Sequence, residues 1–155
     1  MSLSGDLERE HREIDQGIES FTSQLAEAAG PRAAVLIDAL DELRRHIYFE
    51  EELLFPPLQE AGLVPPLIVM RREHGDIWAS MDDLTDGLAS GADAASLRAV
   101  LDRLTVQLEI HNSKEEAIVY SAADGMIPEG VQDELRAQIG SVHQPDRWVC
   151  HAARQ

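Results

Sequence analysis

The stretch His46-Ile-Tyr-Phe-Glu-Glu51 places an imidazole and a carboxylate four residues apart inside an otherwise apolar helical pattern. Residues with this spacing lie on the same face of a helix. The same arrangement returns at His111-Asn-Ser-Lys-Glu-Glu116. The histidine and the first glutamate of each stretch therefore form one copy of a potential metal-binding unit.

Both stretches lie within long segments whose apolar residues are spaced alternately three and four apart, which is the pattern of a helix that faces a bundle core. Gly30-Pro31, Gly62 with Pro65-Pro66, Gly91, and Gly125 with Pro128 separate these segments. No segment has the alternation of a strand. The pattern predicts helices at about residues 4–29, 31–55, 66–90 and 94–123, a short fifth helix at about 128–139, and a tail from Gly140 without a clear pattern.

The first half of the chain resembles the second half. Arg9-Glu10-His11 matches Arg72-Glu73-His74, and the two histidine-glutamate stretches match each other at a similar offset. Two similar helical hairpins with short connections favour antiparallel neighbours. The sequence therefore predicts an all-α, up-down-up-down four-helix bundle with a short fifth C-terminal helix. We expect a single domain over residues 1–155, with the metal-binding bundle at about 3–123 and the C-terminal helix and tail at 126–155.

Six polar residues of the helical seams fall at one height of this bundle, counted from turns near Gly30 and Ala92 at about 1.5 Å per residue. A single histidine in an apolar seam is most often a satisfied core residue. Six such residues without a metal would carry unsatisfied donors and repelling anions, each costing on the order of several kcal/mol. A fully hydrogen-bonded network is the alternative. The predicted metal ligands are His11, His46, Glu50, His74, His111 and Glu115.

Composition argues against several classes of partner. The formal net charge is −16, and Lys114 is the only lysine among thirteen basic residues. Binding to nucleic acid or to an anionic membrane needs clustered positive charge, so we expect neither. No apolar run reaches the roughly 20 residues needed to span a bilayer, and we expect a cytoplasmic protein. The single cysteine, Cys150, predicts an inert thiol.

The order of these motifs, a histidine and then HxxxE in each half, resembles the hemerythrin-like (HHE) cation-binding domains over about Leu3 to Ala123. The resemblance implies a non-haem di-iron centre with an oxo or hydroxo bridge. It also implies that the four histidines are terminal ligands and that Glu50 and Glu115 bridge the two ions. Imidazole and carboxylate ligands also suit manganese or zinc, and both remain open.

The chain departs from the oxygen-carrying hemerythrins at Trp78, where those proteins have a fifth histidine ligand. This change leaves an open position that water, an exogenous ligand, Glu51, Glu116 or Tyr48 could fill. We expect Glu51 and Glu116 to lie outside the ligand set, Trp78 to pack in the core, and Phe55 and Tyr120 to wall off the site. His143 and His151 are expected to be exposed to solvent.

Three functions agree with this reading. The first is a di-iron protein that binds dioxygen, peroxide or nitric oxide for sensing, scavenging or storage. The second is a di-iron redox enzyme that decomposes peroxide; the sequence leaves enzymatic activity open because no separate acid, base or substrate motif stands out. The third is a structural or interaction bundle in which a metal only holds the hairpins together.

Overall fold

The computed structural model of the protein describes residues 1–25 and 33–154, and its regular structure in these ranges is entirely helical. The α-helices are α1 (Leu3–Gln24), α2 (Ala33–Phe49), α3 (Phe55–Glu60), α4 (Pro65–Ser90), α5 (Ala94–Lys114), α6 (Ser121–Met126) and α7 (Glu129–Gln138). The all-α prediction is confirmed, whereas the turn predicted at Gly30-Pro31 lies outside the described residues. None of the described helices is both long and apolar enough to cross a membrane.

The four long helices form two antiparallel hairpins. In the first, Glu10 of α1 contacts His46 of α2, and further along Gly17 approaches Ala39. In the second hairpin α4 packs against α5 in the same antiparallel sense. The hairpins then pack against each other through α1 with α5 and α2 with α4. This arrangement is the predicted helical bundle.

Local signals in the sequence account for the ends of these helices. The Ser2 side chain accepts a hydrogen bond from Gly5 N at the start of α1, and the Asp93 side chain accepts one from Ser96 N at the start of α5. Such side chains satisfy backbone donors that have no partner within the first helical turn. Gly91 ends α4 in the left-handed conformation with a φ of 73°, which glycine adopts without steric cost.

Two apolar clusters make up the core. Between them lies a polar layer, formed by the six predicted metal ligands. One cluster fills the bundle on the side of the α4–α5 turn and includes Phe21, Leu36, Met81 and Leu104. The other includes Leu3, Leu7, Phe55 and Leu135 and is closed by α7. The predicted fifth helix therefore covers the end of the bundle near the polar layer.

A π-helical segment interrupts the regular helix at the glutamate of each HxxxE spacing, at Glu50–Leu54 and at Glu115–Tyr120. The sequence predicted uninterrupted α-helices here. A π-helical turn is wider than an α-helical turn and is common at functional sites. Glu50 and Glu51 are consecutive residues, yet both are buried within this turn.

The C-terminal tail, for which the sequence offered no pattern, packs against α4. Trp148 contacts Trp78 edge to face at 5.6 Å, and Cys150 is fully buried in the core. Burial, followed by the charge of Glu51, raises the pKa of the Cys150 thiol to about 12, in keeping with the predicted inert thiol. A 3₁₀ turn at His151–Arg154 then lies on α4 opposite Gly75.

Gly75→Ala is expected to loosen this contact. A Cβ atom on Gly75 would lie 2.7 Å from the Cβ of Ala152, closer than two side chains can approach. Alanine normally favours a helix over glycine by about 1 kcal/mol. We expect the overpacking to reverse that gain and to lower the free energy of unfolding by about 1–3 kcal/mol. Denaturant titration measures this change, and faster reaction of Cys150 with a thiol reagent would report release of the tail.

Gly130→Ala in α7 is the matched control, because a Cβ atom there meets nothing within 4 Å. We expect its stability to stay equal or to rise slightly. If both alanine variants responded alike, the close packing of the tail on Gly75 would be wrong.

Candidate metal centre

Four histidines and two glutamates meet in the polar layer, and each is at most 4 % exposed. They form two groups of four whose potential ligand atoms all lie within 4.8 Å of one another. Group A consists of His11, His46, Glu50 and Glu115, and group B consists of His74, His111, Glu50 and Glu115. The structure therefore brings together all six residues that the sequence singled out, while their role as metal ligands stays a prediction.

The two glutamates belong to both groups because one carboxylate oxygen of each faces group A and the other faces group B. Glu50 Oε2 lies 3.4 Å from His46 Nε2 in group A, and Glu50 Oε1 lies 3.3 Å from His74 Nε2 in group B. Glu115 is oriented likewise, with Oε1 3.3 Å from Nε2 of the α1 histidine and Oε2 3.4 Å from Nε2 of the α5 histidine. Two neighbouring sites thus share two carboxylates.

A second carboxylate holds the outer nitrogen of every histidine in the site. The Nδ1 contacts are His11 to Glu116 at 3.2 Å, His46 to Glu10 at 2.5 Å, His74 to Glu51 at 2.6 Å, and His111 to Glu73 at 3.0 Å. Because a carboxylate accepts hydrogen bonds, Nδ1 carries the proton in each pair. The Nε2 lone pair of the neutral imidazole then faces the interior, as metal coordination requires.

Glu10 and Glu73 are site residues that the sequence analysis did not identify. Each lies one residue before a predicted ligand and contacts the histidine of the next long helix instead. Glu10 is buried and approaches Arg45, and Glu73 also contacts Lys114. The repeated Arg-Glu-His tripeptide was the available signal, but only its histidine was interpreted.

Electrostatics in the metal-free chain favour charged groups throughout the layer. Burial lowers the pKa of His74, but its close contacts with Glu50 and Glu51, together with the charges of Glu50 and Glu115, outweigh burial and raise it to about 10. Burial likewise opposes a raised pKa at His46, where the Glu50 charge prevails. Burial raises the pKa of Glu50, yet its imidazole neighbours hold it well below the usual range. Imidazole protons therefore compensate the carboxylates when no metal does.

The residues of the polar layer fit a pair of metal ions for two reasons: their donor atoms are of suitable types, and some of these atoms have no hydrogen-bond partner. Glu50 Oε1, Glu115 Oε2 and His74 Nε2 are fully buried and have no hydrogen-bond partner. All three atoms belong to group B. Buried polar atoms without partners cost about 1–3 kcal/mol each, and a cation between them would remove that cost. Nitrogen and carboxylate donors in this mixture suit iron, manganese or zinc better than calcium.

Tyr120 contributes its hydroxyl to the site, although the sequence predicted only a wall residue. The side chain is fully buried, and its ring stacks on His11 with centroids 5.2 Å apart. Its Oη lies 2.7 to 3.2 Å from one atom of each residue in group A. Burial, followed by the charges of Glu115 and Glu50, raises the pKa of Tyr120 well above its usual value.

The residues considered for an open ligand position lie elsewhere. Glu51 and Glu116 contact the outer Nδ1 atoms, as expected for groups outside the ligand set. Tyr48 packs edge to face on Trp148 at 5.0 Å, away from both groups. Trp78 is 4 % exposed within the apolar core, which agrees with the predicted packing role.

His143 is exposed as expected. The His151 side chain is 38 % exposed, so it meets solvent only in part. His151 is half-buried, and its backbone N–H donates a hydrogen bond of 2.8 Å to Glu51 Oε1. Its Nε2 lies 2.8 Å from Glu52 Oε1. The tail therefore contacts the same carboxylate that holds His74.

A groove of about 520 Å³ passes the site between α1 and α5. His11 and Glu116 line its wall, and they contact each other through His11 Nδ1. The groove therefore lies on the outer side of this imidazole. No histidine of group B lines it.

A known protein family matches most of this chain. The family described as the hemerythrin HHE cation binding domain matches residues 2–123, more than half of the chain. Searches of curated proteins and of solved structures gave no match. The matched range contains both groups and all four carboxylates that contact the imidazole Nδ1 atoms.

Proposed function

Because the chain belongs to the hemerythrin HHE cation-binding family, we propose that groups A and B each hold one non-haem iron ion. The pair binds dioxygen, peroxide or nitric oxide for sensing, scavenging or storage. One observation carries this proposal: Glu50 and Glu115 each offer one carboxylate oxygen to either group. Such sharing suits two adjacent ions held in a bundle core.

In this proposal His11 and His46 would hold one ion, His74 and His111 would hold the other, and Glu50 and Glu115 would each offer an oxygen to both. The bound iron supplies redox-active Lewis-acid positions at which a small ligand can bind and exchange electrons. Manganese or zinc could occupy the same donors, so the choice of iron rests on the family and on the donor set.

The protein's own residues orient the donors and exclude water. The Nδ1 carboxylates fix the tautomer and the ring orientation of each imidazole. The six proposed ligands lie between two apolar clusters, where an unpaired charge is strongly disfavoured. This enclosure favours a diatomic molecule or peroxide over a larger organic substrate.

The test is elemental analysis of protein from iron-supplemented cells, combined with ultraviolet-visible spectra. Spectra are recorded after reduction and then after exposure to dioxygen, nitric oxide or peroxide. Two irons per chain with a reversible spectral change would support the binding function. Sustained turnover of peroxide would favour the redox enzyme instead. A folded chain that holds only zinc or no metal would favour the third function, a structural or interaction bundle.

A further inference from the structure

The hydroxyl of Tyr120 lies close to every residue of group A. Tyr120 Oη lies 2.8 Å from His11 Nε2, 3.1 Å from His46 Nε2, 2.7 Å from Glu50 Oε2 and 3.2 Å from Glu115 Oε1. A phenol carries one proton and can donate it to only one of these four neighbours. When Nε2 of His11 and of His46 carries a lone pair, as metal binding requires, this single proton cannot satisfy all four contacts.

The distances are those expected between neighbouring ligands of one ion. Metal bonds to imidazole nitrogen and to oxygen are about 2.0–2.2 Å long, so two ligands at right angles lie about 3 Å apart. Tyr120 Oη keeps this spacing to all four donor atoms of group A at once. The phenol oxygen is thus a fifth potential donor for an ion held by group A.

Group B lacks a corresponding donor. The internal repeat places Phe55 five residues after Glu50, just as Tyr120 follows Glu115 by five. The Phe55 ring stacks on His74, with centroids 5.8 Å apart and an interplanar angle of 8°. A phenyl ring offers no oxygen or nitrogen donor, and the three ligand atoms of the layer that have no hydrogen-bond partner all belong to group B. The two halves of the site therefore differ by one hydroxyl group.

We propose that Tyr120 is a ligand of the metal ion in group A and that the exogenous small ligand binds at the ion in group B. This inference rests on the proposed di-iron function. Coordination forms a bond from a phenolate lone pair to the metal and releases the phenolic proton to solvent. Group A then has five protein donors and group B has four, which leaves the additional open position at group B.

The test uses ferric protein reconstituted from the metal-free chain, with iron counted in every sample. A phenolate bound to ferric iron gives a visible charge-transfer band and enhanced phenolate vibrations in resonance Raman spectra excited within that band. We expect both signals in the wild type and in Tyr48→Phe, whose phenol lies outside the site. Tyr120→Phe should lose both. The wild-type Raman spectrum is decisive by itself if Tyr120→Phe fails to retain iron.

Azide serves as the small-ligand probe for the position of the vacancy. Phe55→Tyr should place a second phenol beside group B and abolish azide binding, whereas Tyr120→Phe should retain azide binding. Unchanged azide affinity in Phe55→Tyr, with a second phenolate signal present, would overturn the assignment of the vacancy. Two irons without any phenolate signal would overturn Tyr120 as a ligand and leave the di-iron function intact. A chain that takes up no iron would overturn both.

Discussion

Glu50→Ala is expected to remove metal from both groups with one substitution. Glu50 faces His46 through one oxygen and His74 through the other, so its loss takes a donor from each proposed ion. In the metal-free chain the change also leaves buried imidazoles without their compensating carboxylate. Removing one partner of a buried ion pair typically costs about 3–5 kcal/mol. Metal content per chain and denaturant unfolding of the metal-free variant measure the two effects.

His46→Ala provides the comparison because His46 belongs to group A alone. We expect this change to weaken metal binding at group A and to leave the four donors of group B in place. Glu42→Ala controls for the loss of a carboxylate in α2, since Glu42 is exposed to solvent. If Glu50→Ala retained a metal at group B with wild-type affinity, the bridging role of Glu50 would be wrong.

Glu51→Ala is expected to produce the next largest loss. Glu51 is 1 % exposed, accepts the Nδ1 proton of His74 at 2.6 Å and accepts the backbone N–H of His151 at 2.8 Å. Its removal leaves two buried donors without a partner, and each should lower the free energy of unfolding by about 1–3 kcal/mol. Loss of the carboxylate that orients a metal-bound imidazole usually lowers metal affinity about 10- to 100-fold. Competition with a chelator measures the affinity, and denaturant titration measures the stability.

Glu116→Ala is the matched control, since Glu116 occupies the equivalent place in the internal repeat and contacts His11 Nδ1. Its side chain is 33 % exposed and lines the groove, so water can replace the lost acceptor. We expect a clearly smaller loss of both stability and metal affinity than in Glu51→Ala. Equal losses in the two variants would contradict burial as the source of the difference.

The helical part of this fold could be predicted because its signals are local. Apolar residues spaced three and four apart mark the buried faces, and Pro65 and Gly91 mark helix ends at which α4 starts and stops. The π-helical segments carry no such signal. Their effect is to bury the consecutive residues Glu50 and Glu51 together, which a regular helical period does not anticipate.

The sequence revealed the six predicted ligands more fully than it revealed the residues that contact them. The four histidines and the two glutamates of the layer were recognisable because each spacing repeats within the chain. Glu10 and Tyr120 were not, because their partners lie 36 and up to 109 residues away. A contact between different helices depends on the rotation of each helix about its axis, and sequence spacing does not specify that rotation.

The all-α bundle, the internal repeat, the family and the six residues that meet in the polar layer could all be inferred without a structure. Each follows from helical spacing or from a motif within one segment. The tertiary structure alone decided which atoms those residues present to each other: one oxygen of Glu50 to each group, a hydroxyl in group A and none in group B, and a tail held against Gly75. These features arise where separate helices pack side by side, and the packing sets distances that no single segment encodes.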